Sequence, residues 1–579
     1  MRIITLHCDY IKFKAVKKAI KNAEELKNKE EQKVEEVLVV LTAVEKGDND
    51  KTVKQLIEAV KKTANDVKTK NIVLYPYAHL SSNLSNPDTA LEYMTEAENT
   101  LRSEGYSVTR APFGHYKQFE LKCKGHPLAE LSKEFRTEIS HVHDEKNKIG
   151  KLAVEKVEDY DPKQLLREIS RSKLDTSKLK DNDHRILGQR LDLFSFHDVA
   201  PGMVFWHNNG LRIYNQLVTF WREEHQKAGY QEIKTPQIMD SKIWKISGHW
   251  DKYRENNFTT LYENRPFLVK PMNCPGGMLV FKANSRSYKE MPLRVGEIGV
   301  VHRTELSGVL NGLFRLIQFT QDDAHIFCSH EEQTEEEIIN IAKLIQEFYK
   351  KFDLKFDHVE LSTRPEKRIG SDETWDRAEK MLEKALKTIK IKYKVNKGDG
   401  AFYGPKIDFH VKDSLERTWQ LSTIQLDFAM PERFDLEYTD KDNTKKRPIM
   451  LHRVIYGSIE RFIGILLEHT NGALPLWLSP LQVRVINFTD RNIKSAEKIV
   501  KDFEKELPNL RIDSDFRSTT VSDKVRDAEM QKIPIIIVIG DKEEENKTLA
   551  VRERGSKPKF GVKFDKLIEE IKERIEKRK

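Results

Sequence analysis

The chain has 579 residues, 38% of them hydrophobic and 33% charged, and a formal net charge of +8 at pH 7. No apolar run reaches the roughly 20 residues of a membrane-spanning helix, so the composition is typical of a soluble protein. The mild positive charge permits an RNA partner through local basic patches without requiring one.

Length and cysteine usage predict the number of domains and the compartment. At about 150 residues per domain, the chain has room for roughly four domains. The first residues, MRIITLHCDY, contain Asp9 and no long apolar segment, so we expect no signal peptide. The cysteines at positions 8, 123, 274 and 328 form no C-x-x-C pair and no disulfide framework, which indicates a reducing cytoplasm.

Residues 1–143 are predicted to form an α/β domain. IITLHC, VEEVLVVLTAV and NIVLYPYAH have strand patterns, and helices are expected after the second strand and at residues 87–105. YSVTRAPFGHYKQFELKCKG predicts a hairpin that turns at residues 112–114, and Glu130 is expected in a helix. Residues 144–190 are charge-rich and apolar-poor, which predicts a linker, either a tether between functional domains or an ordinary solvated connector.

The next predicted domain, residues 191–474, contains the stretch VHRTELSGVLNGLFRLIQFTQDDAHIF. Two strands are predicted around a mobile, glycine-containing loop, with Arg303 and Arg315 at its ends. Guanidinium groups suit bidentate capture of phosphate or carboxylate. The polar cluster at the end of the second strand would face a cleft. A charged hairpin with solvated arginines is the alternative.

The last predicted domain, residues 475–579, alternates strands and helices. Its apolar run IPIIIVIG predicts a buried strand of the parallel type. The GDKE sequence that follows is a typical position for a ligand-binding loop in such a fold.

Three segments in chain order resemble the class II aminoacyl-tRNA synthetases: PMNCPGG at 271–277, the stretch at 301–327 as motif 2, and LHRVIYGSIERFIGILLEH at 451–469 as motif 3. With GSDETWDRAE and GAFYGPK between them, they resemble the threonyl-tRNA synthetases specifically. The helix, strand and Pro236 at 211–238 resemble motif 1, which builds the dimer interface in that family. The resemblance implies a homodimer with an α/β and α+β multidomain fold and an antiparallel-sheet catalytic core of the class II type.

The resemblance also implies a threonine–tRNA ligase, which activates L-threonine with ATP and Mg²⁺ and transfers it to tRNA(Thr). The reacting groups are anionic, so the site must supply fixed positive charge. The family pattern assigns catalysis to Arg303, Arg461 and Lys406. Further ATP contacts fall to Glu305, Arg315, Gln420 and Thr423. Threonine contacts fall to Gln321, Asp323, Tyr403, Gln425 and Ser458.

A zinc site is implied by the resemblance alone, since Cys274, His325 and His452 lie far apart in the sequence. One thiolate and two imidazoles leave coordination positions open on zinc. Threonine would fill these with its amino group and hydroxyl, and Asp323 would accept a hydrogen bond from that hydroxyl. Valine lacks the hydroxyl, and a site built to bind a hydroxyl rejects such an analogue by about 10⁴-fold or more.

In the N-terminal domain, YPYAHLSS, FGHYK and CKGHPLAELS resemble the archaeal-type editing domain of this family, which is similar to D-aminoacyl-tRNA deacylases. Serine lacks one methyl group of threonine, a difference worth only about 1–3 kcal/mol in binding, so a second, hydrolytic site is expected. The resemblance assigns His79, Tyr116, Lys117 and Glu130 to that site, although each alone has an ordinary structural explanation. His115 differs from the aromatic residue of the archaeal form and is assigned no role.

The C-terminal domain resembles the anticodon-binding domain of several class II synthetases. Glu543 and Arg552 are expected against anticodon bases, with solvated surface charges as the alternative for both. The sequence departs from the family pattern at Gly277, Thr304, Leu306, Asn311 and Ser422.

Two other functions remain open from the sequence. One is a metal-dependent hydrolase or free-standing deacylase that acts on RNA, with the rest of the chain used for binding. The other is an RNA-binding or regulatory paralogue with an inactive catalytic site. The retained motif arginines and zinc ligands argue against the inactive paralogue.

Overall fold

The computed structural model describes residues 1–20, 23–26, 30–81, 83–126, 128–135, 162–163, 166, 179–252 and 257–579. The chain divides into two compact units, Met1–Lys148 and Ile149–Lys579. Most of the predicted linker at 144–190, and the end of the predicted domain at 1–143, lie outside the described residues. No helix within these ranges is long and apolar enough to cross a membrane.

The first unit is built on a six-stranded sheet. Its elements are β1 (Arg2–Lys18), β2 (Gln32–Ala43), α1 (Asp50–Asp66), β3 (Asn71–Pro76), the 3₁₀ turn Ala78–Leu80, α2 (Pro87–Ser103), β4 (Ser107–Arg110), β5 (His115–Cys123) and β6 (Glu130–Glu134). The strand order is β4-β3-β2-β1-β5, and β6 pairs with the first residues of β1. Both helices pack on the sheet face that carries Leu38 and Ile72. The alternate residues Val39, Val73 and Tyr75 form a second apolar cluster on the other face.

Two predictions for this unit are wrong. The predicted hairpin does not form, because β4 pairs in parallel with β3 whereas β5 pairs antiparallel with β1. The alternating pattern of the segment specifies strands but not their partners. Glu130, expected in a helix, opens strand β6 opposite Leu6. Pairing with the start of β1 overrides the weak local preference of this segment.

The second unit contains most of the helices and strands. Its strands before residue 480 are β7 (Phe194–Ser195), β8 (Phe205–Trp206), β9 (Gln231–Glu232), β10 (Ile238–Asp240), β11 (Thr259–Tyr262), β12 (Arg265–Val269), β13 (Arg286–Ser287), β14 (Leu293–His302), β15 (Gln318–Cys328), β16 (Lys355–Ser362), β17 (Lys394–Asn396), β18 (Lys406–Lys412), β19 (Thr418–Asp427), β20 (Tyr438–Thr439), β21 (Lys445–Lys446) and β22 (Ile449–Val454). The helices are α3 (His184–Arg190), α4 (Asn208–Lys227), α5 (Ser241–Ser247), α6 (His249–Lys252), α7 (Cys274–Lys282), α8 (Glu331–Lys351), α9 (Asp372–Thr388), α10 (Ala429–Arg433) and α11 (Ile459–His469), with 3₁₀ turns at Tyr288–Glu290 and Ser307–Val309.

The central sheet of this unit has eight strands in the order β17-β16-β18-β19-β22-β15-β14-β9. Its pairings are antiparallel except at the two ends, where β17 joins β16 and β9 joins β14 in parallel. Helices α4, α8, α9 and α11 contribute to the same apolar core. Helix α8 shows why these segments are helical: His330 caps its start, and Ile338, Ile341 and Ile345 recur on its buried face. The opposite face of the sheet is left to the candidate site.

The C-terminal part of the second unit is a five-stranded sheet. Its elements are β23 (Val483–Asn487), the 3₁₀ turn Asp490–Asn492, α12 (Ile493–Glu506), β24 (Ile512–Asp515), α13 (Val521–Met530), β25 (Ile535–Ile539), α14 (Asp541–Asn546), β26 (Leu549–Glu553), β27 (Lys559–Val562) and α15 (Phe564–Glu576). The predicted buried strand is β25, which pairs in parallel with β23 and antiparallel with β26. Near the chain end, Arg578 forms ion pairs with Glu223 and Glu224 of α4 and covers the ring of Phe220. These contacts join the C-terminal sheet to the core of the unit.

Candidate functional site

A cavity of about 660 Å³ lies on the central sheet, between strands β15, β18, β19 and β22 and the loop that precedes β15. Every residue predicted from the resemblance to bind ATP or threonine lines this cavity, as do Cys274 and His452. The fold therefore brings Cys274 and Arg461, which are 187 positions apart in the sequence, to the lining of one cavity. A single cavity of this kind is the default place to look for a ligand.

Three arginines surround one part of the cavity. Arg461 donates from Nε to the carbonyl oxygen of Phe314 at 2.9 Å, and Arg303 donates to another main-chain carbonyl. Burial, together with the neighbouring guanidiniums of Arg315 and Arg303, lowers the pKa of Arg461. Glu305, at 2.9 Å from Arg315, is the carboxylate that offsets part of this charge. Guanidinium groups held close together against their mutual repulsion form a site for a polyanion.

A buried carboxylate that the sequence reasoning missed, Asp408 on β18, organises another part of the wall. Its Oδ1 accepts hydrogen bonds from Gln420 Nε2 at 2.7 Å and from Thr423 Oγ1 at 2.8 Å. Its Oδ2 lies 2.9 Å from the ammonium of Lys406. Burial alone would lower the pKa of Lys406, but Asp408 and Asp399 outweigh it and hold that pKa above its ordinary value. Lys406 therefore stays charged in the cavity wall.

The residues predicted to bind threonine come from two strands, β15 and β19, from the turn before β18 and from one helix start. Gln321 and Asp323 are two residues apart on β15 and so share a face. Tyr403 donates its hydroxyl hydrogen to Gln425 Oε1 at 2.7 Å. Ser458 caps helix α11 by accepting from a main-chain N–H of its first turn at 3.2 Å. These groups offer amide, carboxylate and hydroxyl partners for a small polar ligand.

Cys274, His325 and His452 meet beside the cavity. His325 and His452 are directly opposite each other on β15 and β22, and Cys274 begins helix α7. All three are buried, and their ligand atoms lie within 4.8 Å of one another. The Nε2 of His325 is a buried nitrogen with no hydrogen-bond partner, whereas His452 Nε2 lies 2.7 Å from Asp427 Oδ2. An unsatisfied imidazole nitrogen, a thiol, and a second imidazole oriented by a carboxylate fit a zinc ion.

The turn between β22 and α11 is tied to β15 by another buried acid, Asp322. Its two carboxylate oxygens accept hydrogen bonds from the main-chain N–H groups of Ile455, Tyr456 and Gly457, at 2.9, 3.1 and 3.0 Å. Burial raises the pKa of Asp322 to about 6. Gly457 has a φ of +79°, and a Cβ there would lie 2.7 Å from the carbonyl oxygen of Leu421, so the turn requires glycine.

His184 connects the start of the second unit to the cavity wall, although it belongs to the segment predicted as linker. Its Nδ1 lies 2.6 Å from Glu468 Oε1, and its Nε2 accepts from the main-chain N–H of Leu313 at 2.9 Å. A Cβ at Gly312 would collide with the ring. The buried histidine thus holds Leu313 in place, and the carbonyl oxygen of the next residue, Phe314, accepts the hydrogen bond from Arg461. The linker boundary itself remains a prediction.

The unusual residue Ser422 has a clear structural setting. It is fully buried, and its hydroxyl donates to the carbonyl oxygen of Ile455 at 2.7 Å. The hydroxyl of Tyr349 contacts the same two oxygens. Gly277, at another departure, faces the ring of His325, and a Cβ there would lie 3.4 Å from Nδ1. The motif 2 loop is open, with Leu306 79% exposed.

Of the four residues predicted for editing, three lie on strands of the first unit and one in a turn, and no hydrogen bond joins any two of these four described residues. His79 is exposed in the 3₁₀ turn after β3, Tyr116 is 63% exposed on β5, and Glu130 is exposed at the start of β6. Lys117 is the most enclosed, with its ammonium 5.0 Å from the ring centre of Tyr75 and bound to two main-chain carbonyls. Burial lowers the pKa of Lys117 to about 8.

The two residues predicted to contact an anticodon both have structural partners. Glu543 lies in α14 and accepts from the main-chain N–H of Gly540 at 3.1 Å, which caps that helix. Arg552 lies on β26 and pairs with Glu529 at 2.8 Å. Neither contact brings the two residues together, so both alternatives from the sequence stand.

Comparison with known proteins gives matches along most of the chain. Residues 1–135 match the archaea-specific editing domain of threonyl-tRNA synthetase. Residues 258–470 match the class II tRNA synthetase core domain for G, H, P, S and T, and residues 482–574 match an anticodon-binding domain. The three matches, in this order, confirm the predicted fold class.

Individual relatives agree with these matches. A threonine–tRNA ligase of Desulfatibacillum aliphaticivorans is 53% identical over 399 residues, which are 69% of this chain and 62% of that protein. A threonine–tRNA ligase of Syntrophomonas wolfei is 52% identical over 416 residues, 72% of this chain and 64% of that protein. The matches therefore span less than two thirds of these relatives. The solved RNA-binding domain of threonyl-tRNA synthetase from Cryptosporidium parvum is 39% identical with a TM-score of 0.66, covering 68% of this chain and 98% of that one.

Proposed function

We propose a threonine–tRNA ligase activity for this chain, starting from the fact that it belongs to the threonyl-tRNA synthetase family of class II aminoacyl-tRNA synthetases. The observation that carries the proposal is the convergence of an arginine cluster and a Cys-His-His set on one cavity. The first element suits a nucleoside triphosphate, and the second suits a small ligand with an amino group and a hydroxyl.

Adenylate formation is the first half of the proposed reaction. A carboxylate oxygen of threonine attacks the α-phosphorus of ATP, and pyrophosphate leaves. Arg303 stabilises the α-phosphate in this step, while Arg315 and Arg461 neutralise the other phosphates. Mg²⁺, when bound with ATP, would supply further positive charge. Glu305 accepts from the adenine amino group. Lys406, Gln420 and Thr423 complete the wall, held in place by Asp408.

The second half transfers the threonyl group to tRNA(Thr). A hydroxyl of the terminal ribose attacks the adenylate carbonyl carbon, and AMP leaves with the bond electrons. The exposed motif 2 loop around Leu306 is open to a large partner such as the tRNA acceptor end. Glu543 and Arg552 remain our candidates for contact with the anticodon.

Threonine recognition in this proposal depends on zinc held by Cys274, His325 and His452. When bound, the ion supplies open coordination positions for an amino group and a hydroxyl. Asp427 orients His452 from the second layer, at 2.7 Å. Asp323, which accepts from Asn273 Nδ2 at 3.3 Å, lines the cavity and is our candidate to accept a hydrogen bond from the substrate hydroxyl.

Editing is assigned to the first unit. We place hydrolysis of seryl-tRNA(Thr) on the sheet face that carries Lys117, with His79, Tyr116 and Glu130 orienting the RNA and water. Support comes from the family match at residues 1–135 and from the enclosed position of the Lys117 ammonium over Tyr75.

A homodimer in the cytoplasm completes the proposal. Exposed apolar side chains cluster around the motif 1 segment: Ile238 is 53% exposed, Ile246 44% and Leu279 49%. Ile246 and Leu279 also line a groove of about 590 Å³. A second copy that covered this surface would bury it. All cysteines of the chain are free thiols, as a reducing compartment maintains them.

Threonine-dependent exchange of labelled pyrophosphate into ATP, combined with metal analysis, tests the central proposal. We expect exchange with threonine, weaker exchange with serine and none with valine. A hydrolase or deacylase would show no exchange. Cys274→Ser should lose both bound zinc and threonine-dependent exchange, because it removes the soft ligand. Full zinc content with unchanged exchange in this variant would disprove the zinc assignment.

A further inference from the structure

A second group of metal-binding side chains lies on the central sheet, outside the residues that line the cavity. His358 and Glu360 are on β16, and His410 is directly opposite His358 on β18. The ligand atoms of these three residues lie within 4.8 Å of one another. No disulfide, cofactor or substrate contact proposed above involves them.

The distances within this group are close to those of a metal shell. Glu360 Oε1 lies 3.2 Å from His358 Nε2, and Glu360 Oε2 lies 3.7 Å from His410 Nε2. Tetrahedral zinc with bonds of about 2.0–2.2 Å places its ligand atoms about 3.4 Å apart. The two measured separations lie on either side of that value. The imidazole rings are stacked, with centroids 4.2 Å apart, so metal binding requires them to tilt until both Nε2 atoms face one point.

The nitrogen of His410 is the part of the group that its protein surroundings leave unexplained. His410 Nε2 is buried and has no hydrogen-bond partner. A buried polar atom without a partner costs about 1–3 kcal/mol, so its retention calls for a ligand. The Glu360 carboxylate, at 3.7 Å, is beyond hydrogen-bond distance.

The side chains around the group orient it for metal binding. Asp357 Oδ2 lies 2.7 Å from His358 Nδ1 and itself accepts from Thr418 Oγ1 at 3.1 Å. Asn396 Nδ2 donates to Glu360 Oε2 at 3.0 Å. A carboxylate on Nδ1 fixes the tautomer that leaves the Nε2 lone pair free for a metal. The two carboxylates also match the charge of a divalent ion.

We propose that His358, Glu360 and His410 bind a divalent transition-metal ion, Zn²⁺, which cross-links strands β16 and β18. Two imidazoles and one carboxylate form a donor set that suits zinc. The site is structural: Glu360 is directly opposite Asp408, so the cross-link braces the strand pair that holds the Asp408 carboxylate. The competing arrangement is a protonated His358 that bridges Asp357 and Glu360 as an ion pair and binds no metal.

Zinc stoichiometry of the full chain in a zinc-buffered solution tests the proposal, independently of ligase activity. We expect two zinc ions per chain in the unmodified protein and one in the His358→Ala/His410→Ala variant. His330→Ala is the matched control, because it removes an exposed histidine that also lies beside a carboxylate, at 3.1 Å from Glu332. Its zinc content should stay at two.

Cobalt substitution separates the two sites, because only the Cys274 site has a thiolate-to-cobalt charge-transfer band. The double histidine variant should keep that band. Cys274→Ser should lose the charge-transfer band but still bind one cobalt ion. The variant that combines Cys274→Ser with both histidine substitutions should bind none. Equal metal stoichiometry in the unmodified protein and the double variant would overturn the proposal. Metal ions that persist in the triple variant would also overturn it, because they would show adventitious surface binding only.

Glu360→Gln keeps the size of the side chain and covers the case in which the double variant does not fold. We expect it to weaken zinc binding at this site by at least about tenfold. Unchanged affinity would count against Glu360 as a ligand and would favour the ion-pair arrangement. If the unmodified protein bound a single zinc ion, at the His358 site and not at Cys274, that result would contradict the proposed function but not this second site.

Discussion

Replacement of Asp408 by asparagine should impair the proposed threonine activation, because this carboxylate holds other side chains of the cavity wall in place. The carboxylate accepts from four side chains: Gln420 at 2.7 Å, Thr423 at 2.8 Å, Ser362 at 3.0 Å and Lys406 at 2.9 Å. An amide of the same shape has one acceptor oxygen and presents two N–H hydrogens where the other oxygen was. In either orientation of the amide, two of the four donor side chains then face its NH₂ group in place of an acceptor oxygen.

The charge-assisted contact with Lys406 is the larger loss, because the amide has no charge in either orientation. Such a bond is worth about 1.5–3 kcal/mol, and a neutral hydrogen bond about 1 kcal/mol. The wall proposed to position ATP therefore loses about 2–4 kcal/mol of support. At about 1.4 kcal/mol per tenfold change, the expected fall in kcat/KM for ATP is about 30- to 700-fold.

Threonine-dependent pyrophosphate exchange measures this effect when ATP and threonine are varied separately. We expect the KM for ATP to rise and the KM for threonine to change little, because Gln420 and Thr423 are the proposed ATP contacts. Asp399→Asn is the control: Asp399 also binds Lys406, at 3.0 Å, but its side chain is 56% exposed. An exposed pair contributes at most about 1 kcal/mol, or about fivefold. If Asp408→Asn costs no more than this control, the role of Asp408 is refuted.

Three further predictions concern other parts of the chain. Arg303→Ala should reduce exchange severely without change in the circular dichroism spectrum, because it removes charge at the α-phosphate, and near-normal exchange would show that motif 2 is misassigned. Deletion of residues 1–143 should leave threonylation nearly unchanged and let seryl-tRNA accumulate; no more accumulation than in the full chain would make this domain a tRNA-docking module instead. Since burial lowers the pKa of Lys117 to about 8, editing corrected for spontaneous hydrolysis should fall as the pH rises through that value and the ammonium loses its proton. Lys117→Arg, which stays charged, should show no such fall, and an identical pH profile would exclude Lys117 as its source.

Local pattern predicted most helices and strands but not which strands pair. The segment at 107–123 has the alternation of a hairpin. Its two strands, β4 and β5, nevertheless lie at opposite ends of the strand order β4-β3-β2-β1-β5. Pairing depends on contacts far away in the sequence, and a short alternating run contains no information on them. Glu130 shows the same limit, since its strand exists only because β1 extends beyond β5.

The proposed zinc ligands illustrate what the sequence alone can and cannot predict. No spacing rule connects Cys274, His325 and His452, and only the resemblance nominated them. The sheet register supplies the physical reason: His325 and His452 are cross-strand neighbours between β15 and β22. Asp408 could have been predicted as a site residue, because it is two positions after Lys406 on the same strand, so both side chains lie on one face of the sheet. Its importance becomes clear only when β19 brings Gln420 and Thr423 alongside.

The three hydrogen bonds that Asp322 accepts determine where flexibility can occur in this site. They fasten the start of motif 3 to strand β15, so the groups from β15 and from α11 form a rigid floor. The rim of the cavity differs in exposure, since Leu306 of the motif 2 loop is 79% exposed. Ligands that touch only the floor would bind with little loss of conformational entropy, whereas a ligand that must also order the rim gives up part of its binding energy to do so. Under the proposed function, the architecture would separate recognition of the amino acid, at low entropic cost, from engagement of the larger substrate, at a higher one.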